Sequence, residues 1–194
     1  MIDGDLRELF ETLPHGEWRR LAKERELASW RETNRFCGCC GTAMKPHANP
    51  EEHAMVCPSC GYMAYPRITP AVIVLVCKGN SILLQRNAHY KIPNWSLVAG
   101  FVDPGETFEE AVIREIREEA KLEVTNLRYF GSQMWPFPSN IMVGYMADWF
   151  SGEPTPDGEE VLQSGWFDRD HLPLLPKKIS IARRLIEAWL AEGQ

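Results

Sequence analysis

Short stretches of the chain carry apolar residues in alternation or in unbroken runs, and both patterns are typical of β-strands. The run ITPAVIVLVC is the most apolar of them, and the turn-forming pair Gly79-Asn80 follows it. The segments with this pattern are residues 68–77, 81–86, 95–102, 122–132, 140–150 and 161–167. Their succession predicts a sheet that occupies most of the second half of the chain.

Two further segments have helical spacing. Residues 107–120 begin with a capping box, in which Thr107 is followed three positions later by Glu110. The residues expected to dock this helix on the sheet are Phe108, Ala111, Val112 and Ile116. Residues 180–191 predict a closing amphipathic helix, whose apolar side is formed by Ile181, Leu185, Ile186 and Leu190. The fold class is therefore α/β or α+β, with a mixed sheet and a few helices.

The first third of the chain lacks the strand pattern. Residues 5–30 predict two short helices broken around Pro14 and Gly16. Their apolar positions are Leu6, Leu9, Phe10, Trp18, Leu21, Leu27 and Trp30. Residues 36–66 are rich in Cys, Gly and Pro, and so small a unit needs a staple. We predict a helical lead segment at 1–35, a small stapled unit at 36–66 and the main domain at 67–194.

Charge and hydropathy narrow the classes of function. The 194 residues include 27 acidic and 21 basic side chains, a formal net charge of −6. This balance disfavours a dedicated nucleic-acid binder, so an anionic substrate must be bound locally or through a metal. The N-terminus has no apolar signal segment, and the run from Ala71 to Cys77 is too short to cross a bilayer. We predict a cytoplasmic protein with no membrane partner.

Four cysteines form two pairs of equal spacing: Cys37 and Cys40, then Cys57 and Cys60. Two such pairs are typical of a tetrahedral four-cysteine zinc site, and a glycine after each pair lets the chain turn back. Because an all-cysteine site has no open coordination position, we predict one structural Zn²⁺ per chain. Two disulfides are the alternative, which a cytoplasmic location disfavours. Cys39 and Cys77 are predicted to lie outside the site.

Three acidic residues share one face of the helix predicted at 107–120. Glu115, Glu118 and Glu119 stand at positions i, i+3 and i+4, where like charges destabilise an isolated helix. A positive group should therefore lie beside them. Hard oxygen ligands on one face suit Mg²⁺ or Mn²⁺ held jointly with substrate phosphates. A solvated acidic helix face is the alternative interpretation.

The segment from Gly100 to Leu122, GFVDPGETFEEAVIREIREEAKL, resembles the Nudix box, G-x5-E-x7-R-E-U-x-E-E-x-G-U with U aliphatic. The matching residues are Gly100, Glu106, Arg114, Glu115, Ile116, Glu118, Glu119 and Leu122. Lys121 stands where the box has glycine, at a helix end where a left-handed cap is favourable. The resemblance implies a Nudix hydrolase, an α/β/α sandwich around a mixed sheet that cleaves a nucleoside diphosphate linked to another group.

The same resemblance implies roles for the residues of the box. Glu115, Glu118 and Glu119 would bind Mg²⁺ or Mn²⁺, which neutralises phosphate oxygens and lowers the pKa of an attacking water. Arg114 would pair with Glu106 and pin the loop to the helix, which completes the predicted catalytic set. Glu160 would add a metal ligand from outside the box, and a plain loop carboxylate is the alternative there.

The segment from Ser132 to Asn140, SQMWPFPSN, is similar to the SQPWPFPxS signature of the NAD(H) pyrophosphatases, with Met134 and Asn140 as the two departures. Prolines beside aromatic residues give a stiff wall, although Trp135 and Phe137 alone could simply fill a core. That family also has a four-cysteine ribbon before the Nudix domain, a Tyr-Pro pair after the ribbon and an LPLLP run before a final ARRLIE helix. All three features are present here.

Carried over by position, the resemblance implies that Tyr65 and Phe101 stack on the nicotinamide. The other substrate contacts that it implies are Glu52, Ala99, Gln133, Met134, Trp135, Pro136, Phe137, Pro138, Ser139, Asn140 and Ala182. The family forms homodimers, so the resemblance also implies a homodimer here.

The function that the resemblance implies is metal-dependent hydrolysis of NAD(H) to nicotinamide mononucleotide and AMP, together with removal of NAD caps from RNA. Two alternatives stay open. One is a Nudix hydrolase of another nucleoside diphosphate derivative, such as ADP-ribose. The other is a non-catalytic zinc-ribbon binding module, which the intact Glu115, Glu118 and Glu119 disfavour.

Overall fold

The computed structural model describes residues 9–10, 12–88, 94–156 and 158–192. The chain folds into two compact units. The first contains the described residues up to Ile68 together with Pro136–Ser139, and the second contains Thr69–Trp135 and the described residues from Asn140 onward.

The predicted break near Pro14 is present in the first unit: residues 9, 10 and 12 are helical, and a second, longer helix follows Pro14. Helix α1 spans His15–Thr33, with Pro14 as its N-cap. The interruption is at Leu13 and Pro14, whereas Gly16, which was predicted to share in the break, lies inside α1. Proline suits this place because it cannot continue a preceding helix but is tolerated where a new one begins. Leu6, also predicted as apolar helix, lies outside the described residues.

After α1 the first unit has three short antiparallel strands in the order β1-β2-β3. They are β1 (Lys45–Pro46), β2 (Met55–Val56) and β3 (Met63–Ala64). A small apolar cluster holds them together, made of Trp30, Cys37, Met44, Met55, Cys57 and Ala64. Two of the six members are cysteines of the predicted zinc site, so the metal site and this core are one structure.

The second unit is built on a mixed six-stranded sheet. Its strands are β4 (Thr69–Lys78), β5 (Ser81–Asn87), β6 (Val98–Phe101), β7 (Glu123–Trp135), β8 (Asn140–Ser151) and β9 (Val161–Asp168). The strand order is β7-β8-β4-β5-β9, with β6 also paired to β4. Only β4 and β8 run parallel, and every other pair is antiparallel.

Strand β4 is apolar along its length because both faces of the sheet are covered. Val72, Val74 and Val76 face the core beneath helix α2 (Phe108–Ala120). Ile73 and Leu75 face the opposite core beneath helix α3 (Ile181–Glu192). Alternate strand residues point to opposite faces, so one unbroken run serves both layers. The predicted α/β/α sandwich around a mixed sheet is confirmed.

Three details of the second unit differ from the sequence prediction. Phe108 does not dock α2, because 40% of it is exposed, whereas Ala111, Val112 and Ile116 are fully buried. Strand β6 covers only half of the predicted segment 95–102, although Ser96 still bridges Gln85. In α3 the apolar side also includes Trp189, which is 2% exposed. Among the described residues, no helix is long and apolar enough to cross a membrane.

The turn Pro136–Ser139 interrupts the second unit and belongs to the first. It joins β7 to β8, yet the Ser139 hydroxyl donates to the carbonyl of Arg67 over 3.0 Å, just after the ribbon strands. The sequence predicted a stiff segment here. Its assignment to the ribbon unit depends on tertiary contacts that no local pattern carries.

Candidate active site and zinc centre

The four cysteines of the ribbon converge on one point. The sulfur atoms of Cys37, Cys40, Cys57 and Cys60 all lie within 4.8 Å of one another. Three of the separations are 3.5–3.6 Å, and an ideal tetrahedron with zinc–sulfur bonds of 2.3 Å has edges of about 3.8 Å. The thiols therefore fit a zinc ion closely.

Two left-handed glycines allow this arrangement. Gly41 and Gly61 have φ angles of 73° and 77°, which glycine adopts without a Cβ clash. Each donates its N–H back to the carbonyl of the first cysteine of its pair, Cys37 or Cys57, over 2.9 and 3.0 Å. Cys39 is exposed and lies outside the cluster, as predicted.

The candidate active site in the second unit begins at the N-terminus of α2. The Thr107 hydroxyl accepts from the Glu110 N–H over 3.2 Å, and the Glu110 carboxylate accepts from the Thr107 N–H over 2.8 Å. The predicted capping box is therefore present in both directions. It fixes the residue at which the helix starts, and hence the direction in which its carboxylates point.

Arg114 connects the loop to the helix. Its Nε and Nη2 donate to the two oxygens of Glu106 over 2.7 and 2.9 Å. Nη2 also donates to the carbonyl of Phe101 at the end of β6, over 2.8 Å. This bidentate pair holds the pKa of Glu106 down at about 2, through the Arg114 hydrogen bonds first and the Asp103 N–H second. The ion pair implied by the Nudix resemblance is thus formed.

Arg114 also supplies the positive group expected beside the acidic face. Its Nη1 donates to Glu115 over 2.8 Å and to Glu118 over 3.1 Å. Each of these contacts engages one carboxylate oxygen, so the second oxygen of each can face a cation.

Two of the three helix carboxylates are buried. Glu115 is 8% and Glu119 5% exposed, whereas the Glu118 side chain is 61% exposed. Burial raises the pKa of Glu115; Arg114 opposes that shift, and Glu118 and Glu160 add to it. Ionised carboxylates are rarely buried without a compensating charge, so this face fits a bound cation.

Gly100 makes room for the Glu115 carboxylate. A Cβ atom at position 100 would lie 1.9 Å from Oε1 of Glu115, a distance that no side chain tolerates. A side chain at this position of the box would therefore displace the Glu115 carboxylate, and an unusual φ angle is not the reason for the glycine. Gly100 lies on β6, opposite Val72 of β4.

The carboxylates proposed as metal ligands do not converge on one point as the four cysteines do. Within the described part of the chain, only the four cysteines form a group of three or more metal-binding side chains with atoms within 4.8 Å. Glu160 is exposed and acts on Glu115 through its charge. Its role as a ligand stays a prediction, as do the roles of Glu115, Glu118 and Glu119.

Helix α2 ends in the left-handed conformation that the Nudix box favours there. Lys121 is the C-cap with φ 58° and ψ 35°, and its N–H donates to the carbonyl of Arg117. Its Nζ also donates to the carbonyl of Glu118 over 3.0 Å. The lysine side chain thus satisfies a helix-end carbonyl that a glycine would leave to solvent.

The comparisons with known proteins agree with this geometry. The sequence model of the NUDIX domain matches residues 67–190. The chain belongs to the Nudix family. The model described as the NADH pyrophosphatase zinc ribbon domain matches residues 32–65, which contain all four clustered cysteines.

Curated relatives of this Nudix chain are longer than it is. It is 45% identical over 180 residues to the NAD-capped RNA hydrolase NudC of Pseudomonas aeruginosa, covering 91% of this chain and 64% of that protein. It is 42% identical over 186 residues to the NAD-capped RNA hydrolase NudC of Stutzerimonas stutzeri, covering 96% and 67%. The chain therefore spans about two thirds of the length of these relatives.

Solved structures share the fold. A NUDIX hydrolase from Nitrosomonas europaea superposes with a TM-score of 0.68 at 23% identity, covering 81% of this chain and 91% of that one. A MutT NUDIX hydrolase from Burkholderia pseudomallei gives 0.54 at 26% identity, covering 61% and 97%.

The predicted substrate contacts are distributed over both units. The first unit holds Glu52, Tyr65, Pro136, Phe137, Pro138 and Ser139, and the second holds Ala99, Phe101, Gln133, Met134, Trp135, Asn140 and Ala182. Tyr65 and Phe101 are 53% and 54% exposed, which suits rings that stack on a ligand. Ala99 packs against the same core cluster that includes Ala182. As substrate contacts, all of these residues remain predictions.

Gln133 has backbone partners that the sequence did not reveal. Its Nε2 donates to the carbonyl of Ile179 over 2.7 Å, and its Oε1 accepts from the N–H of Ile181 over 2.6 Å. The amide therefore holds the start of α3, the turn that contains Ala182. Sequence reasoning also missed Gln85, a fully buried residue that donates to the carbonyl of Glu119. The available signal was a polar residue two positions after Leu83, on the same face of a strand that is otherwise apolar from Ile82 to Leu84.

Proposed function

We propose that this chain is a metal-dependent hydrolase that cleaves the diphosphate of NAD(H) into nicotinamide mononucleotide and AMP, and removes the NAD cap from RNA. The observation that carries the proposal is the pair of buried carboxylates, Glu115 and Glu119, on the Nudix helix. The cap-removing activity is taken from the NudC proteins, to which the chain is 42–45% identical.

In this proposal Glu115, Glu118 and Glu119, with Glu160 from the loop before β9, hold Mg²⁺ or Mn²⁺. The ion, when bound, neutralises phosphate charge and lowers the pKa of water. The oxygen of one water adds to one phosphorus, and the bridging oxygen leaves with the other phosphate, so each product is a monophosphate. Arg114 fixes the loop and two of the carboxylates, because it contacts Glu106, Glu115 and Glu118 together.

Substrate recognition is proposed for the aromatic and proline-rich residues. Tyr65 and Phe101 offer exposed rings for stacking on a base, and the segment from Gln133 to Asn140 forms the stiff wall. Glu52, Ala99 and Ala182 complete the proposed contacts. We further propose a homodimer, because the resemblance implies one, and sedimentation of the purified protein tests it directly.

The test is a product assay. The protein is incubated with Mn²⁺ or Mg²⁺ and, separately, with NADH, NAD⁺, ADP-ribose and NAD-capped RNA, and the products are separated by chromatography. We expect AMP and a nicotinamide mononucleotide from the dinucleotides, and RNA with a 5′-monophosphate from the capped RNA. Faster cleavage of ADP-ribose would contradict the substrate assignment while leaving the hydrolase chemistry in place.

The metal assignment is tested with the variant Glu118→Gln. Glu118 is exposed, so the substitution removes a charge without disturbing the core, and we expect turnover to be lost while the melting temperature is kept. Full activity in this variant would contradict the metal assignment.

A further inference from the structure

The last turn of α2 carries Glu119, one of the proposed metal ligands, and it depends on hydrogen bonds from outside the helix. The final carbonyls of a helix have no partners within it. Glu119 lies one residue before the end of α2, and it must stay in helical register to share a face with Glu115. If this turn unwound, the two buried carboxylates would separate.

Each of the last four carbonyls of α2 has a partner, and the partners come from three parts of the second unit. Lys121 serves two, since its N–H donates to Arg117 and its Nζ to Glu118. The N–H of Thr155 donates to the carbonyl of Ala120 over 3.1 Å. The carbonyl of Glu119 accepts from Nε2 of Gln85 over 3.2 Å, and this is the bond that is buried.

Gln85 is rigidly placed to make that bond. It lies on β5, opposite Ser164 of β9. On its other side its backbone exchanges two hydrogen bonds with Ser96, of 2.7 and 2.8 Å. Its side chain is completely buried. The strand therefore fixes the amide, and the amide fixes the helix end.

Burying a glutamine side chain in this core destabilises the fold unless its polar atoms are hydrogen-bonded. Its neighbours Leu83 and Leu84 are apolar, and its Oε1 accepts no hydrogen bond from any residue that the structure describes. Burying an unpaired polar atom is unfavourable. Among the described residues, the one hydrogen bond of the buried amide is that from Nε2 to the carbonyl of Glu119.

We propose that Gln85 is a positioning residue for the metal site, which keeps the last turn of α2 helical and thereby holds the Glu119 carboxylate beside that of Glu115. The inference rests on the proposed role of these carboxylates as metal ligands. Gln85 bonds to the backbone carbonyl of Glu119, so it acts on the carboxylate through the helix backbone. Groups that hydrogen-bond the ligating side chain itself change metal affinity about 10–100-fold when they are substituted, and for Gln85, which acts through the backbone, we expect the lower end of that range.

The test measures Mn²⁺ binding directly, by the electron paramagnetic resonance signal of free Mn²⁺ titrated with protein. Gln85→Met keeps the length of the side chain and removes the donor. Gln85→Asn keeps the amide but shortens its reach, and it serves if the first variant does not fold. We expect either variant to raise the Mn²⁺ dissociation constant about tenfold and to require more Mn²⁺ for half-maximal turnover.

The control is Leu84→Val, on the opposite face of the same strand and equally buried. It loosens the core without touching the Glu119 carbonyl, so its Mn²⁺ affinity should match that of the unaltered protein. Unchanged affinity in both Gln85 variants, or equal weakening in Leu84→Val, would overturn the positioning role alone. If the unaltered protein bound no Mn²⁺, the proposed metal site would fail as well.

Discussion

At Gly100 the backbone leaves room for a carboxylate. The missing Cβ would lie 1.9 Å from the Glu115 side chain, so any substitution has to move that side chain. Sequence spacing identifies the glycine as part of a motif. The structure gives the reason for it, which is the volume taken by Glu115.

We expect Gly100→Ala to lower turnover by about 100-fold, the cost of a displacement of about 1 Å in a catalytic group. Steady-state kinetics with NADH measure it. Gly131→Ala is the control, because a Cβ there meets nothing within 4 Å, and it should keep its activity. Comparable activity in the two variants would be evidence against the packing argument.

Lys121 has a strained backbone conformation, and its side chain donates a hydrogen bond to the end of α2. Its φ of 58° is left-handed, which costs a residue with a Cβ about 1 kcal/mol, while its ammonium group serves the helix end. We expect Lys121→Gly to be more stable than Lys121→Ala by about 1 kcal/mol, since both lose the ammonium group and only glycine relieves the strain. Urea denaturation compares the two, and equal stabilities would contradict this account.

At the scale of single elements, α2 is defined by what holds its two ends. The capping box fixes its start, Arg114 ties it to the loop after β6, and Lys121, Gln85 and Thr155 satisfy its last carbonyls. The helix carries acidic residues that repel one another, so these external bonds stabilise a segment that would be weak in isolation.

The Arg114–Glu106 pair makes part of this stability dependent on pH. The folded pKa of Glu106, about 2, lies below its ordinary value of 4.5. The contribution is therefore complete above pH 4.5 and is lost as the pH falls towards 2. We expect the difference in unfolding free energy between the unaltered protein and Glu106→Gln to shrink across that window. Urea titrations at several pH values measure it, and a constant difference would be the contrary result.

For the molecule as a whole, two units depend on two different kinds of stabilisation. The second unit has two apolar clusters on either side of its sheet. Among its described residues, the first has one six-residue cluster, of which Cys37 and Cys57 are members. Small units of this kind fold when the metal binds, so the ribbon should depend on zinc and the Nudix domain should not.

We expect Cys57→Ser to lose zinc and to unfold the ribbon at a lower temperature, while the sheet of the second unit keeps its own transition. Elemental analysis and calorimetry measure the two effects. Cys39→Ser is the matched control, because Cys39 is an exposed thiol outside the cluster, and it should retain its zinc. Full zinc content in Cys57→Ser would refute the four-cysteine site.

Much of this architecture follows from local pattern. The apolar runs predicted all six strands of the main sheet, and the capping box located the start of α2. The errors occurred where a residue's surroundings matter more than its spacing. Phe108 has helical spacing but is partly exposed, and Gly16 lies within α1 although glycine commonly ends helices.

The sequence by itself determined which segments of the main domain are helix and strand, which four cysteines belong together, and which carboxylates share a helix face, because spacing along the chain is a local property. The tertiary structure decided which of those carboxylates are buried, that Gln85 and Gln133 bond to helix backbones, and that Pro136–Ser139 joins the first unit. These outcomes depend on contacts between residues far apart in sequence, and those contacts exist only once the strands have paired and the helices have packed.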